Sequence, residues 1–502
     1  MAIEQGDFME AVLQLHGVAA SFDGSAPIFS NVNVRLTRGL IGLVGANGSG
    51  KTTLLRLLSG ELTPSDGHVE RLPSAARVAV CPQHTGLLTD SVRVFGQRPS
   101  SLSSRLELDS FELERWETLS PGEKKRWQIG AALHEEPDIL LIDEPTNHLD
   151  AHATRLLRRA LASHPGLGVI VSHDRRLLDE LTNRTLRIHQ GKVALYPGNY
   201  EEACVLWERE RQTAEAKHAA SREAVAKASR KLEAASRERE ERERGRSTRH
   251  RMKGKRDHDA KSMAAKNLAD KAEARASRSV ALSREALVRA TRDVVPFERD
   301  RTRGRSLRIS FTRPASTILF HLDRADLVAG THVVAKDVSL TIGRDERVRI
   351  SGMNGAGKST LLSALLQSHR GAPSHVLYMA QELGAADVRE LLTRVRDLEP
   401  EARGRVFSLF ASLGSDPARV VDRTVDLSPG EARKLALSFG LGRGSSALVL
   451  DEPTNHLDLA TIERLERALT AYNGCVVLVS HDEEFAARTT TRTYTIEGGR
   501  LR

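Results

Sequence analysis

Aromatic residues make up only 4% of this 502-residue chain, which argues against a binding surface built on stacked rings. Its three cysteines, Cys81, Cys204 and Cys475, stand far apart, so neither a disulfide framework nor a local cysteine zinc site is expected. That usage fits a reducing, cytoplasmic location. No run of 18 apolar residues occurs, so no membrane span is expected. The first residues carry neither a basic n-region nor an apolar h-region, and no secretory signal is expected there. What remains is 40% hydrophobic and 28% charged, the composition of a soluble globular chain, and the length predicts two to four domains of about 100–200 residues each. Lys plus Arg is 75 against 66 acids, a net charge of +9. The excess is mild, so its position matters more than its size.

The chain repeats itself. Asp-Glu-Pro-Thr-Asn-His-Leu-Asp at 143–150 recurs at 451–458, an offset of 308; Leu-Ser-Pro-Gly-Glu at 119–123 recurs at 427–431 and Ser-His-Asp at 172–174 recurs at 480–482, both at 308. Residues 45–52 map onto 352–359 at 307. Fixed offsets of this kind mean two copies of one domain of about 200 residues. The expected division is 1–200 for the first copy, 201–305 for a segment between them, and 306–502 for the second.

The middle segment is rich in Ala, Glu, Arg and Lys, all good helix formers, and no proline lies between Pro197 and Pro296. Between residues 201 and 295 only Gly245 and Gly254 interrupt it. The pattern predicts two long helices, about 201–243 and 258–293, joined by a glycine-flanked turn, the first reaching ~60 Å. Within each copy short apolar runs alternate with helical stretches. Residues 40–44, 139–142 and 168–171 read as strands buried on both faces, which suits a parallel α/β sheet.

Gly45, Ala46, Asn47, Gly48, Ser49, Gly50, Lys51 and Thr52 match the phosphate-binding P-loop, as do Gly352, Met353, Asn354, Gly355, Ala356, Gly357, Lys358 and Ser359. Glycines let backbone N–H groups close around phosphate oxygens, and the helix that follows, with Thr53 and Thr360 in its first turn, adds its positive dipole end. Lys51 and Lys358 are placed to reach β- and γ-phosphates; Thr52 and Ser359 offer a hydroxyl to Mg²⁺. Asp143 and Asp451, each after an apolar strand, suit the aspartate that organises the metal. Glu144 and Glu452 follow directly and are candidates to deprotonate the attacking water. His173 and His481 end further strands and are candidate γ-phosphate contacts. Gln83 and Gln381 lie 32 and 23 residues after the P-loop lysines, within reach of Mg²⁺ or water.

This ordered set resembles the ATP-binding-cassette superfamily. Two cassettes in one chain, the repeated Glu-Pro-Thr-Asn-His-Leu-Asp and a long basic linker are similar to its ABC-F branch. The resemblance implies an ATPase with two P-loop domains joined by a helical hairpin, a monomer whose cassettes close head to tail over two ATPs. One site would join residues 45–52 to Ser428, Gly430 and Glu431, and the other residues 352–359 to Ser120, Gly122 and Glu123. It also implies binding to the 70S ribosome, with the linker directed at rRNA, P-site tRNA and the peptidyl-transferase centre.

Some residues depart from the common pattern. Both signatures read Ser-Pro-Gly, so Pro121 and Pro429 remove a backbone donor from each phosphate cage. Phe22 suits the aromatic that stacks on adenine, whereas Val328 stands in the matching place of the second copy. Only 36 positions separate Gln83 from Leu119, so the arm insertion of some relatives is absent. Residues 244–256 hold seven Lys or Arg and no acid. Arg246, Arg249, Arg251, Lys253, Lys255 and Arg256 are therefore candidate RNA-phosphate contacts at the hairpin tip. These features resemble the Gram-positive ABC-F group that includes ribosome-protection proteins against large-subunit antibiotics. The alternatives are a housekeeping translation factor, the ATPase subunit of a drug exporter, and a chromosome or repair ATPase.

Overall fold

The computed structural model describes residues 10–21, 26–83, 86, 88–97, 100–147, 149–250, 259–295, 309, 311–370, 375–421 and 427–502; of 245–250, 259–267 and 269 it describes only the backbone. The chain forms two compact units, Met1–Ala203 with Arg301–Arg502, and Cys204–Asp300.

The first cassette starts with β1 (Val12–Ala20), β2 (Phe29–Leu36) and β3 (Gly39–Gly45), then α1 (Lys51–Ser59), β4 (Asp66–Leu72) and β5 (Val78–Cys81). A small helical layer follows: α2 (Asp90–Gly96), α3 (Ser101–Arg105), a 3-10 stretch Ser110–Thr118 and α4 (Pro121–His134). The copy ends with β6 (Ile139–Asp143), α5 (Ala151–Leu161), β7 (Leu167–Val171), α6 (Arg175–Leu181), β8 (Arg184–His189) and β9 (Lys192–Pro197). Its main sheet has the order β5-β6-β7-β3-β8-β9, parallel except for the last strand; β2-β1-β4 form a separate antiparallel sheet. Every residue of β6 and β7 is buried, as continuous apolar runs require of strands covered on both faces.

In the linker unit, α7 (Tyr200–His250) and α8 (Asp259–Arg292) run antiparallel, since His218 Nδ1 lies 2.7 Å from the Val295 carbonyl and Arg242 donates to the Ala272 carbonyl. Ala228, Ala235 and Ala276 are buried; the first two are one heptad apart, a narrow small-residue seam between the helices. The expected helix end near 243 is wrong. α7 continues through Gly245 to His250, because one interior glycine costs about 1 kcal/mol and strong helix formers on both sides offset it. The tip residues Arg251, Lys253, Lys255 and Arg256 lie outside the described residues, and the side chains of Arg246 and Arg249 are not described.

The second cassette repeats the plan: β10 (Ile318–Ala329), β11 (His332–Gly343), β12 (Arg347–Gly352), α9 (Lys358–Gln367), β13 (Val376–Met379), α10 (Ala385–Arg396), α11 (Pro400–Ser412), α12 (Ala418–Val421) and α13 (Pro429–Arg443). Then come β14 (Ala447–Asp451), α14 (Leu459–Ala471), β15 (Cys475–Val479), α15 (Glu483–Thr489), β16 (Arg492–Glu497) and β17 (Arg500–Leu501). The main sheet order is β13-β14-β15-β12-β16-β17, the same as in the first copy. Among the described residues the antiparallel sheet has only β10 and β11, with no counterpart of β4.

Candidate active site

The P-loops leave the sheet at its central strands, β3 and β12, so that each glycine turn opens at the carboxyl ends of parallel strands, where ligands of such sheets bind. Gly50 and Gly357 hold φ 96°. A Cβ on Gly50 would lie 2.6 Å from Ile28, and one on Gly357 would lie 2.7 Å from Val334. Only glycine fits both demands. α1 and α9 begin at Lys51 and Lys358 with their first N–H groups facing the loop.

The two sites match almost atom for atom. Lys51 Nζ donates to the Gly45 and Ala46 carbonyls at 2.9 and 3.1 Å; Lys358 Nζ donates to Gly352 and Met353 at 2.8 and 3.0 Å. Thr52 Oγ1 donates to Asp143 Oδ2, and Ser359 Oγ to Asp451 Oδ2, both at 2.7 Å. Glu144 and Glu452 are buried, and both hold φ 48°, a left-handed backbone unusual for glutamate that turns each side chain off the strand end into the cleft. His173 Nε2 lies 3.1 Å from Glu144 Oε1, and His481 Nε2 lies 3.4 Å from Glu452 Oε1.

Burial dominates the electrostatics. It pushes Glu144 up to about 8, with Asp143 adding to the rise and Lys51 opposing it; Glu452 is also pushed up to about 8 by burial, against a hydrogen bond from the His481 N–H. Burial and the neighbouring lysine push His173 down to about 3 and His481 to about 4. Lys51 and Lys358 are lowered by burial against nearby carboxylates. Each site thus pairs a neutral imidazole with a glutamate that holds its proton more tightly than an ordinary carboxylate.

The cassettes meet over these sites. One continuous cleft of about 1570 Å³ is lined by the first P-loop together with Ser428, Gly430 and Glu431, and by Asn354 and Gly355 together with Ser120 and Pro121. The Asn47 N–H donates to Asp458 Oδ2 at 3.0 Å, and its side-chain amide donates to the His456 carbonyl at 2.7 Å. On the other side the Asn354 N–H bonds to Asp150; burial raises both aspartates, but hydrogen bonds from Ala153 and Asn354 bring Asp150 below the usual range, and the Lys434 charge followed by hydrogen bonds from Thr461 and Asn47 does the same for Asp458. Asp150 and Asp458 are therefore site residues that sequence reasoning missed, although they close the octapeptide that repeats at 308. Gln83 and Gln381 line the same cleft. Ser120 and Ser428 are the N-caps of α4 and α13, each bonded to the glutamate three residues on (2.7 and 2.8 Å), with proline at the first helical position. The proline costs no helix bond there, because that N–H has no partner within the helix. Phe22 lies outside the described residues, and Val328 is half exposed near the end of β10.

Two buried cations were also missed. Lys125 Nζ donates to the carbonyls of Pro82 and Asp143 at 2.7 and 2.9 Å; Arg433, its counterpart at offset 308, donates to those of Gln381 and Glu452. Each ties its helix to the backbone at the ends of two neighbouring strands, β5 and β6 in the first copy and β13 and β14 in the second. They passed unnoticed because a Lys or Arg two residues past a surface motif looks like any solvated charge.

The residues fit a nucleotide and its metal. Among the described residues, both P-loop lysines hydrogen-bond only to their own loop's carbonyls, Ser49 Oγ is buried without a hydrogen bond, and the buried oxygens of Glu144 have no well-directed donor. A hydroxyl beside a carboxylate is an oxygen-only set of the kind that holds Mg²⁺ together with phosphate and water.

Comparison with known proteins agrees. The family model described as ABC transporter matches residues 29–147 and 335–455. The chain is 29% identical to the ribosome protection protein VmlR of Bacillus subtilis, covering 92% of this chain and 83% of that one. It is 29% identical to the tylosin resistance ATP-binding protein TlrC of Streptomyces fradiae (95% and 96%), and 28% identical to the energy-dependent translational throttle protein EttA of Mycobacterium tuberculosis (91% and 86%). The solved structure of an RNase-L inhibitor shares the fold, with a TM-score of 0.57 over 97% of this chain and 90% of that one at 18% identity. The two matched domains and these relatives show a tandem ATP-binding-cassette ATPase that is similar to the ABC-F proteins.

Proposed function

We propose that the chain is a cytoplasmic, monomeric ATPase that acts on the ribosome and protects translation from antibiotics of the large subunit. The observation that carries the ATPase part is the cleft in which each P-loop faces the other cassette's signature. In the first site residues 45–52 and Thr53 enclose the phosphates, and Lys51 exchanges its loop carbonyls for phosphate oxygens. Ser428 and Gly430 close the cage, with Glu431 capping their helix. Glu144 takes the proton from the attacking water, and His173 holds its ring toward the γ-phosphate. The second site uses residues 352–360, Ser120, Gly122, Glu123, Glu452 and His481 in the same roles. Thr52, Asp143 and Gln83 in the first site, and Ser359, Asp451 and Gln381 in the second, would hold Mg²⁺, which when bound would offset phosphate charge. ATP held between one cassette's P-loop and the other's signature adds contacts that only the joined state makes, so ATP favours that state and hydrolysis weakens it.

The ribosomal part rests on the relatives named for ribosome protection and tylosin resistance, and on the seven basic residues of 244–256, which suit RNA phosphates near the P site. The test is co-sedimentation with 70S ribosomes, beside growth of a sensitive bacterium expressing the chain on lincosamide, macrolide, streptogramin A and pleuromutilin. Raised tolerance to one class is expected. A flat profile with protein on ribosomes would instead favour a housekeeping translation factor, a reading that the comparable identity to the translational throttle protein supports. Recovery with membranes rather than ribosomes would favour an exporter subunit; no helix among the described residues is long and apolar enough to cross a membrane.

A further inference from the structure

The two copies agree at their chemical motifs, yet at one surface they differ in a systematic way. At offset 308, Arg155 corresponds to Glu463, Arg158 to Glu466, Arg175 to Glu483, Arg176 to Glu484, and Glu180 to Arg488. Charge is reversed at all five pairs. All lie on α5 and α6 or on their counterparts α14 and α15, beside the cleft between the two sites. The face of the first copy carries four positive and one negative of these charges, net +3, and the face of the second carries the reverse, net −3.

The reversed faces meet. Arg175 is buried and its Nη1 lies 2.9 Å from Glu466 Oε1 and 3.7 Å from Glu484 Oε1 of the other cassette. Burial alone would lower this guanidinium; the facing Glu466, Glu463, Asp482 and Glu484 outweigh it and hold it charged. Arg176 pairs with Glu483 across the same boundary, and the Tyr200 hydroxyl donates to Glu463 at 3.1 Å. The contacts inside each face are reversed copies as well. Arg158 meets Glu180 at 2.7 Å in one cassette, and Glu466 meets Arg488 at 3.4 Å in the other; Arg176 bonds Glu180 in one, and Glu484 bonds Arg488 in the other. Asp174 and Asp482, at the foot of the patch, have the same charge in both copies and distinguish nothing.

Two homologous domains with symmetric chemistry face a choice of partner. A pairing of like cassettes would put the same patch on both sides of a two-fold axis, Arg against Arg or Glu against Glu. We infer that these five charge-reversed positions are a recognition surface that makes each cassette accept the other cassette of the chain and reject a second copy of itself. Attraction across the boundary sets the correct register, and like-charge repulsion removes the alternative. The signature, P-loop and Asn47–Asp458 contacts cannot do this, because they are nearly identical in both copies.

Three full-length variants test it. The first carries Arg155→Glu, Arg158→Glu, Arg175→Glu, Arg176→Glu and Glu180→Arg, which makes both faces acidic. The second carries Glu463→Arg, Glu466→Arg, Glu483→Arg, Glu484→Arg and Arg488→Glu, which makes both basic. The third carries all ten. Each five-fold variant should lose at least about tenfold in ATP turnover, because like charges then face each other. The ten-fold variant, with the pattern only exchanged, should return to within about threefold of the wild type, since every attractive pair is kept. An equimolar mixture of the acidic and basic variants should regain turnover and sediment at twice the monomer mass. Wild-type turnover in both five-fold variants would overturn the inference, and so would a folded ten-fold variant that stays inactive. If the large variants fail to fold by circular dichroism, the half-exposed pair decides: Arg176→Glu and Glu483→Arg should each weaken turnover and restore it in combination. Losses that simply add would overturn the inference equally.

Discussion

Replacing both buried glutamates by glutamine, Glu144→Gln with Glu452→Gln, tests the electrostatics and the chemistry together. Each carboxyl rises from an ordinary 4.5 to about 8 in the folded protein, mainly through burial. Between those values the native state holds a proton that the unfolded chain has released. The slope of stability with pH is set by protons bound unfolded minus native, which is negative here. The contribution is therefore fully present below about 4.5 and lost as pH rises through about 8. Inside that window each glutamate costs up to about 1.4 kcal/mol per pH unit. For a cassette of about 200 residues that is roughly 3–5 °C of melting temperature per pH unit. Glutamine has the same shape and no proton to lose, so the nucleotide-free double variant should melt higher than the wild type at pH 8 and show a flatter profile from pH 5 to 8. ATP binding should survive while turnover falls by about 10²–10⁴, the usual worth of a general base. The measurements are calorimetric melting across pH, nucleotide binding and phosphate release. Parallel melting profiles for the two proteins would mean that the glutamates are ionised in the empty cleft, and normal turnover would remove them from the mechanism.

Lys125→Met and Arg433→Met should each destabilise their cassette by roughly 2–5 kcal/mol, because each leaves two buried carbonyls without a donor; thermal melting checks this, and an unchanged melting temperature would refute it. In the wild type, kcat/KM for ATP should rise as pH climbs toward about 8, the limb of a base that must lose its proton in the free enzyme, and this limb should vanish with the glutamates. Changing Arg246, Arg249, Arg251, Lys253, Lys255 and Arg256 to Gln should leave basal ATPase intact and weaken ribosome binding. With about five phosphate contacts, it should remove four to five units from the slope of log affinity against log salt.

The residues that could be read from the sequence are those whose chemistry is local. A P-loop is eight consecutive residues whose backbone does the binding, and an acid at the end of an apolar strand projects into the cleft whatever surrounds it. The sheet was legible for the same reason: residues 139–142 and 168–171 are apolar without alternation, and only a strand covered on both faces uses such a run. What stayed hidden depends on which positions face each other across space. Gly245 marked a helix end only by propensity, and the helix passes through it because its neighbours decide the sum. Lys125 and Arg433 look like surface charges until the strand end they hold is placed beside them. The charge-reversed patch belongs between these cases. Its letters stand at the same offset as the motifs, yet a search for identity discards them, since the signal is opposition at equal spacing. Domains duplicated within one chain need identity where both copies bind the same ligand and difference where each must recognise the other. Comparing the two halves for reversed charge is therefore as informative as comparing them for repeated motifs.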